Sequence, residues 1–163
     1  VRKFIDKWSD VFIAKEIGVC DEDDFIDSND PEYVMSQIRD KYLSDSTVTI
    51  VLIGTCTHSR RYIDWEIKSS LRQGNYTPNG LLGIVLSSLT KAPYIPERFA
   101  KNFSKDEECY ASYHWAPTSE EQLGGWIEEA FVSRTTSAHL NKNSQEMWSY
   151  NRKCEHCGEN HGV

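Results

Sequence analysis

The stretch that decides the fold class is Thr47-Val-Thr-Ile-Val-Leu-Ile53, which ends at Gly54 and leads into a polar loop, residues 55–61. Most of its residues are β-branched, and its apolar half is continuous rather than alternating. Such a run is typical of a strand covered on both faces, as strands of parallel sheets are. The sequence therefore predicts a strand of a parallel sheet, covered on both faces, at residues 47–53.

A helix is predicted after this loop, over residues 62–72. Three apolar residues at helical spacing form its inward face: Ile63, Ile67 and Leu71. Asp64 and Lys68 lie four positions apart, a spacing that predicts an ion pair on the outer face. Tyr62 and Glu66 are also one helical turn apart, so they share one face of the same helix.

The rest of the chain alternates helices with buried strands. Helices are predicted within residues 1–10, from the start signal Asp30-Pro31, and after a capping box at Thr118 and Glu121. Strands are predicted at residues 81–86 and more briefly within 109–115, and the apolar stretch 11–19 can hold another. This alternation favours an open α/β sheet with helices on both faces.

Composition and charge limit the class of protein. The chain has 163 residues, which suits one compact domain, and 39% of them are hydrophobic, a globular value. A net charge of −7 gives no basic footprint for nucleic acid. No apolar run approaches the roughly 18–20 residues of a membrane-spanning helix. Five irregularly spaced cysteines do not form a secreted disulfide framework. We expect a cytoplasmic protein with neither nucleic-acid nor membrane partners.

Residues 46–67, with VLIG at 51–54 and RRYIDWEI at 60–67, resemble the strand–loop–helix unit of bacterial TIR-like proteins. They are most similar to the TIR-like (ThsB-like) proteins of the Thoeris antiphage defence system, and the similarity continues through residues 81–86 and 117–135. The resemblance implies a flavodoxin-like, TIR-type parallel sheet in which residues 47–53 form the third strand. It also implies that Glu66, just after the aromatic residue, is the catalytic glutamate of an enzyme that cleaves NAD.

Four further residues are predicted to bind the substrate: Thr55, Arg61, Tyr62 and Trp65. In open α/β sheets ligands gather beyond the carboxyl ends of strands, where the loop that begins at Thr55 lies. Arg61, together with Arg60, can donate to phosphate, although an exposed arginine pair is the alternative. Tyr62 and Trp65 are either pocket walls or core residues, and the sequence leaves both roles open.

Cleavage of the nicotinamide–ribose bond needs no metal and no resident cofactor, because the departing pyridinium is a good leaving group. NAD is then the substrate, and one carboxylate can stabilise the oxocarbenium-like ribose as its base departs. The resemblance further implies that the product is an ADP-ribose-derived signalling nucleotide, which diffuses to a downstream effector protein. It also allows self-association, because TIR-like enzymes often complete their sites by stacking copies.

Other functions stay open beside this hypothesis. A non-catalytic TIR-like interaction or adaptor module is the main alternative. A receiver-like nucleotide binder is less favoured, because no glycine-rich phosphate loop follows the first strand. Cys56 and His58 suggest a thiol–imidazole couple. A separation of two positions in a loop gives poor support for the contact that such a couple needs.

The chain departs from the family pattern at its beginning. In TIR-type sheets a first strand precedes the first helix and lies between the second and third strands. The sequence opens at Val1 in what reads as that helix. We therefore expect a short N-terminal segment outside this sequence, because a sheet without its first strand would leave buried backbone groups unpaired.

The predicted division is a TIR-like domain at residues 1–135 and a C-terminal extension at 136–163 that packs on it or trails from it. Within the extension, four residues have partial zinc-ligand spacing: Cys154, His156, Cys157 and His161. A structural zinc site usually uses two ligand pairs, and the adjacent ligands of this single cluster are strained. No metal site is predicted, and a reduced, partly disordered tail is favoured.

Overall fold

The fold is built on a small, open, parallel sheet. The computed structural model describes residues 1–16, 22–23 and 25–161. Within these, the strands are β1 (Val48–Ile53), β2 (Gly80–Val85) and β3 (Ser112–Trp115), in the order β1-β2-β3 with both pairings parallel. This arrangement, flanked by helices, confirms the predicted TIR-type α/β fold class.

In the described part of the chain, five α-helices surround the sheet: α1 (Arg2–Lys7), α2 (Pro31–Ile38, continued by a π-helical turn, Arg39–Leu43), α3 (Arg61–Ser70), α4 (Glu97–Lys101) and α5 (Glu120–Thr136). The side chain of Asp30 caps α2 as predicted, accepting from the N–H groups of Glu32 and Tyr33. Short 3-10 turns occur at Thr57–Ser59 and Ala138–Leu140. Among the described residues, no helix combines the length and apolar character needed to cross a membrane.

Two hydrophobic clusters cover the two faces of the sheet. One cluster packs α3 and α4 against the sheet and includes Val51, Ile53, Ile67, Leu71, Leu81 and Phe99. The other packs the end of α1 and α5 against the opposite face and includes Trp8, Leu82, Ile84, Leu123 and Ala130. Val48, Ile50 and Leu52 are only half-buried on that second face, so β1 is less enclosed there than on the first.

The central strand β2 is packed so closely that two of its positions have no room for a side chain. A Cβ atom on Gly80 would lie 1.9 Å from the carbonyl oxygen of Ala130 in α5. A Cβ atom on Gly83 would lie 2.5 Å from the ring of Phe99 in α4. Glycine at these positions therefore allows helices on both faces to approach β2 at close range.

An aromatic stack joins β3 to α5. The rings of His114 and Trp126 lie 4.1 Å apart at an interplanar angle of 7°. The Nε2 atom of His114 is buried and has no hydrogen-bond partner among the described residues. Burial lowers the pKa of His114, and the nearby Glu129 carboxylate opposes this shift only in part. The imidazole is therefore held in its neutral form more strongly than a free histidine.

Two local predictions differ from the structure. Residues 11–16 form no strand, and the rest of that predicted strand, 17–19, lies outside the described residues. The N-cap of α5 is Ser119 rather than Thr118, and its side chain accepts from the N–H of Gln122 at 3.2 Å. The side chain of Gln122 accepts in turn from the N–H of Thr118. The forward bond of a capping box is thus present one residue later, whereas the returning bond goes to the N–H of Thr118, the residue before the N-cap.

The C-terminal segment, residues 141–161, lies against α3 and the loop before it rather than forming a partly disordered tail. This contact also corrects the predicted surface pair of Asp64 and Lys68, which are only 2% and 9% exposed. Lys68 donates to the carbonyl of Gln145, and Asp64 accepts from the N–H of Trp148. The face of α3 that helical spacing predicts to be outward is therefore covered by the tail.

Candidate active site

The β1–α3 loop, residues 54–60, begins at the carboxyl end of β1. The N–H of Gly54 donates to Thr57 Oγ1 at 2.9 Å, and the Thr57–Ser59 turn then redirects the chain into α3. Thr55 is half-buried at the start of this loop. Thr55 thus lies beyond the end of a parallel strand, the location where ligands of open α/β sheets bind.

The tail caps the helix that follows. The N-cap residue of α3 is Arg60, whose exposed side chain makes no capping hydrogen bond. Instead the N–H of Arg61 donates to Asn151 Oδ1 at 2.8 Å. The first turn of α3 therefore obtains a side-chain acceptor for one of its free N–H groups from a residue near the end of the chain, which fixes the start of the helix that carries Glu66.

The structure brings three of the predicted substrate-binding residues into one cluster. The Arg61 guanidinium lies 4.8 Å from the ring centroid of Tyr62 and 5.2 Å from that of Trp65. The two rings meet edge to face at 5.4 Å. Trp65 is only 6% exposed and donates from Nε1 to the carbonyl of Trp148, so its indole packs in the core. Arg61 also donates to the carbonyl of Ser149 and to the Tyr62 hydroxyl. These contacts attach the tail to α3.

Glu66 is half-buried on α3, directly after the buried Trp65 and one turn after Tyr62. Its helix follows the loop that contains Thr55, so the two residues belong to consecutive elements after β1. Two surface clefts lie elsewhere. One, of about 430 Å³, is beside β3 and α5, and the other is formed by α2, α3 and the tail. Neither is lined by Glu66. The catalytic role of Glu66 and the binding roles of its neighbours stay predictions.

A buried ion pair joins α3 to α4. Arg98 of α4 and Asp64 of α3 are 0% and 2% exposed, and the guanidinium donates to both carboxylate oxygens, at 2.8 and 3.1 Å. Arg98 also donates to the carbonyls of Gln145 and Glu146 in the tail. The sequence pattern did not single out Arg98, because a lone arginine in a short helix carries no local sign of burial.

Cys56 does not pair with His58. Nε2 of His58 accepts from the N–H of Glu155 at 3.0 Å, whereas the Cys56 thiol joins a cluster with Cys154 and two further tail residues. Desolvation and the neighbouring thiols raise the pKa of Cys56 to about 11. Burial opposes ionisation of Cys154 as well, but hydrogen bonds from the backbone of Cys157 and from His161 lower the pKa of Cys154 to about 5. The hydrogen bonds therefore favour the thiolate at Cys154, whereas desolvation favours the neutral thiol at Cys56.

Comparison with known proteins gives one family. Neither a curated protein nor a solved structure matches the chain. The family model described as "Thoeris protein ThsB, TIR-like domain" matches residues 3–91, more than half of the 163 residues. The matched region contains β1, the β1–α3 loop, α3 with Glu66, and β2. The chain therefore belongs to the family of TIR-like domains of the Thoeris protein ThsB.

Proposed function

We propose that this domain cleaves the bond between nicotinamide and ribose in NAD, with the Glu66 carboxylate as the catalytic group. The observation that carries the proposal is the placement of Glu66. It is half-buried on the helix that directly follows the carboxyl end of β1, inside the region matched by the family. The helix that carries Glu66 begins beyond the carboxyl end of β1, the region where nucleotides bind in folds of this class.

Each candidate residue has a distinct part in the proposed reaction. Glu66 holds the ribose hydroxyls and stabilises the positive charge that develops on the sugar as nicotinamide departs. The Tyr62 ring offers a stacking surface one turn away, and Thr55 offers a hydroxyl at the mouth of the loop. Arg61 and Trp65 already contact the tail, and in this proposal they orient Tyr62 and the first turn of α3.

The product of this reaction is proposed to be a signalling nucleotide derived from ADP-ribose, which reaches a downstream effector protein by diffusion. A non-catalytic interaction module is the second candidate. It is favoured by one observation, namely that Glu66 lines neither of the two clefts described above. Self-association that completes a site around Glu66 would reconcile this observation with catalysis, so the assay must cover a range of protein concentrations.

The experiment measures nicotinamide released from NAD by purified protein, over that range of concentrations. A second assay measures the NAD content of phage-infected cells that carry the protein. Infection supplies a trigger that purified protein lacks. The test variant is Glu66→Gln, which keeps the size of the side chain and removes its charge. Glu128→Gln is the matched control, because it makes the same change on an exposed helix position in the cleft beside β3.

The proposal requires that wild type and Glu128→Gln release nicotinamide and that Glu66→Gln, with an unchanged circular dichroism spectrum, does not. Catalytic contributions of a charge that stabilises the transition state are about 10²–10³-fold or more, so the loss should be nearly complete. If Glu128→Gln loses activity while Glu66→Gln retains it, the chemistry belongs to the other cleft. If no protein consumes NAD at any concentration or during infection, the adaptor hypothesis stands instead.

A further inference from the structure

The fold brings one metal-ligating side chain from the β1–α3 loop together with three from the tail, which lie far away from it in the sequence. Cys56 comes from the β1–α3 loop, and three residues come from the tail: Cys154, Cys157 and His161. One ligand atom of each lies within 4.8 Å of the others, and Cys157 Sγ and His161 Nε2 are 3.2 Å apart. In a tetrahedral zinc site with bonds of about 2.0–2.3 Å, the ligand atoms are about 3.6–3.8 Å from one another. Small side-chain rotations therefore suffice to close the cluster around one ion.

We propose that Cys56, Cys154, Cys157 and His161 bind a single structural zinc ion. Three thiolates and one imidazole are a ligand set that selects zinc among the common cellular metals, and four protein ligands leave no open position for a substrate. Binding releases the protons of those thiols that are still protonated. The inference does not depend on NAD cleavage, because it concerns how the loop and the tail are held together.

The tail backbone is already shaped for ligation. The N–H of Gly158 donates to the carbonyl of Cys154, and the N–H of Cys154 donates to the carbonyl of Glu159. These bonds form a tight turn in which Gly158 has φ = +75°, a conformation that glycine adopts without strain. Cys154 and Cys157, two ligands with two residues between them, thus project from one turn, as in many zinc-binding motifs.

Contacts beside the cluster orient its ligands. The N–H of Arg152 donates to the carbonyl of Ser59 at 2.9 Å, which aligns the tail with the loop that carries Cys56. Asn151 Nδ2 donates to the carbonyl of His161, while Asn151 Oδ1 accepts from the N–H of Arg61 at the start of α3. The zinc ion would therefore fix the β1–α3 loop and the first turn of α3 through a continuous set of bonds.

The site differs from the one that the tail sequence suggests. His156 lies between the two tail cysteines, but it is exposed and is not part of the cluster. Cys56 takes its place as the fourth ligand. Adjacent ligands His156 and Cys157 would strain a site built from the tail alone, and a ligand from the β1–α3 loop removes that strain.

The experiment measures metal content and ligand geometry in the full chain. Protein purified under reducing conditions is analysed for zinc by mass spectrometry, and cobalt is then substituted to record the absorption of tetrahedral thiolate ligation. Cys56→Ser and His161→Asn test the cluster. Cys109→Ser and His156→Asn are matched controls, because Cys109 is a thiol outside the cluster that donates to the carbonyls of Ser104 and Ala111.

We expect one zinc ion per chain in wild type and in both controls, and at least about a tenfold loss of affinity in the two test variants. A wild-type chain that takes up no stoichiometric zinc overturns the proposal, as does a chain that binds iron in its place. A cobalt spectrum that survives Cys56→Ser, or one that His156→Asn abolishes, also overturns it, since the tail alone would then supply the ligands. A disulfide between Cys56 and Cys154 in freshly purified protein is equally incompatible.

Because a ligand variant can fail to fold, a second measurement uses wild type alone. Removing zinc with a chelator should increase hydrogen exchange in the β1–α3 loop and in residues 151–161, while β2 stays protected. Unchanged exchange in both segments after complete metal removal contradicts the proposed structural role.

Discussion

Replacing Arg98 by methionine is expected to lower the free energy of unfolding by about 3–5 kcal/mol, the usual cost of removing one partner from a buried ion pair. The structure explains why this pair should reach that range. The guanidinium has five N–H donors, and it makes five hydrogen bonds with no exposed surface. Without it, the 2% exposed carboxylate of Asp64 retains one backbone donor, the N–H of Trp148.

The expected loss of unfolding free energy in Arg98→Met has two parts, one from the ion pair with Asp64 and one from the tail carbonyls that Arg98 binds. Besides the stranded carboxylate, the carbonyls of Gln145 and Glu146 lose a donor, at about 1 kcal/mol each when they stay buried. The double variant Arg98→Met/Asp64→Leu leaves no unpaired charge, so its cost should be smaller than the sum of the two single costs by about 0.5–3 kcal/mol. That difference is the coupling energy between the two side chains, in which ion pairing and hydrogen bonding act together.

Urea denaturation followed by circular dichroism gives the midpoint and the slope for each variant. Arg72→Met is the matched control, because Arg72 and Glu32 form a 2.9 Å ion pair whose side chains are 32% and 67% exposed. An exposed pair is worth less than about 1 kcal/mol. The reasoning is refuted if Arg98→Met costs no more than Arg72→Met, or if the effects of the Arg98 and Asp64 replacements simply add.

Two further predictions concern the sheet. Gly80→Ala should lower the free energy of unfolding by about 1–3 kcal/mol or more, because the added methyl group overlaps the Ala130 carbonyl. Gly125→Ala, in open space on α5, should be neutral or stabilising. Urea denaturation measures the free energy of unfolding of both variants. Burial lowers the pKa of His114 below its ordinary value of 6.5. The neutral imidazole therefore contributes fully to the free energy of unfolding above pH 6.5, and this contribution is lost as the pH falls through the folded-state pKa. Wild type should therefore lose more stability than His114→Phe, which keeps the ring stack, between about pH 7.5 and about pH 5; equal losses contradict the prediction.

Most of the sheet and its main helices could be predicted from local patterns. The continuous apolar run at 47–53 predicts β1, because both faces of that strand contact other parts of the protein. The same holds for residues 81–86, where every residue of β2 is buried. The spacing of apolar residues in a strand or a helix is a property of a short stretch of sequence, so the stretch itself is enough to predict the element.

The surroundings of α3 could not be predicted in the same way. Helical spacing correctly places Asp64 and Lys68 on one face, but whether that face meets water depends on Arg98 and on the tail, which lie far away in the sequence. Cys56 is similar, since its partners Cys154 and Cys157 belong to the end of the chain. A C-x-x-C pair followed by a histidine, with three further cysteines upstream, is the signal that the sequence offers. Sequence spacing alone does not show which spare cysteine completes such a set.

The candidate site combines both kinds of information. The half-buried position of Glu66 follows from its place beside the inward stripe of α3, but its proposed role comes from the family resemblance and from no local pattern. Tyr62, Trp65 and Arg61 lie together because one helical turn brings them to the same place, while their predicted role in substrate binding stays a prediction. Their contacts with residues 148–151 were not foreseen, because no periodic signal in the polar tail points to α3.

The tail holds α3 at two points. Near the middle of the helix, Trp148 is 7% exposed, and its backbone binds both Asp64 and Trp65. At the first turn, Asn151 caps the helix beside the thiol cluster that contains Cys154, which is 1% exposed. A segment that buries its own side chains and satisfies buried groups of a helix contributes to the same core as that helix. The position of α3, the helix that carries Glu66, therefore depends on residues beyond the family match as well as on those within it.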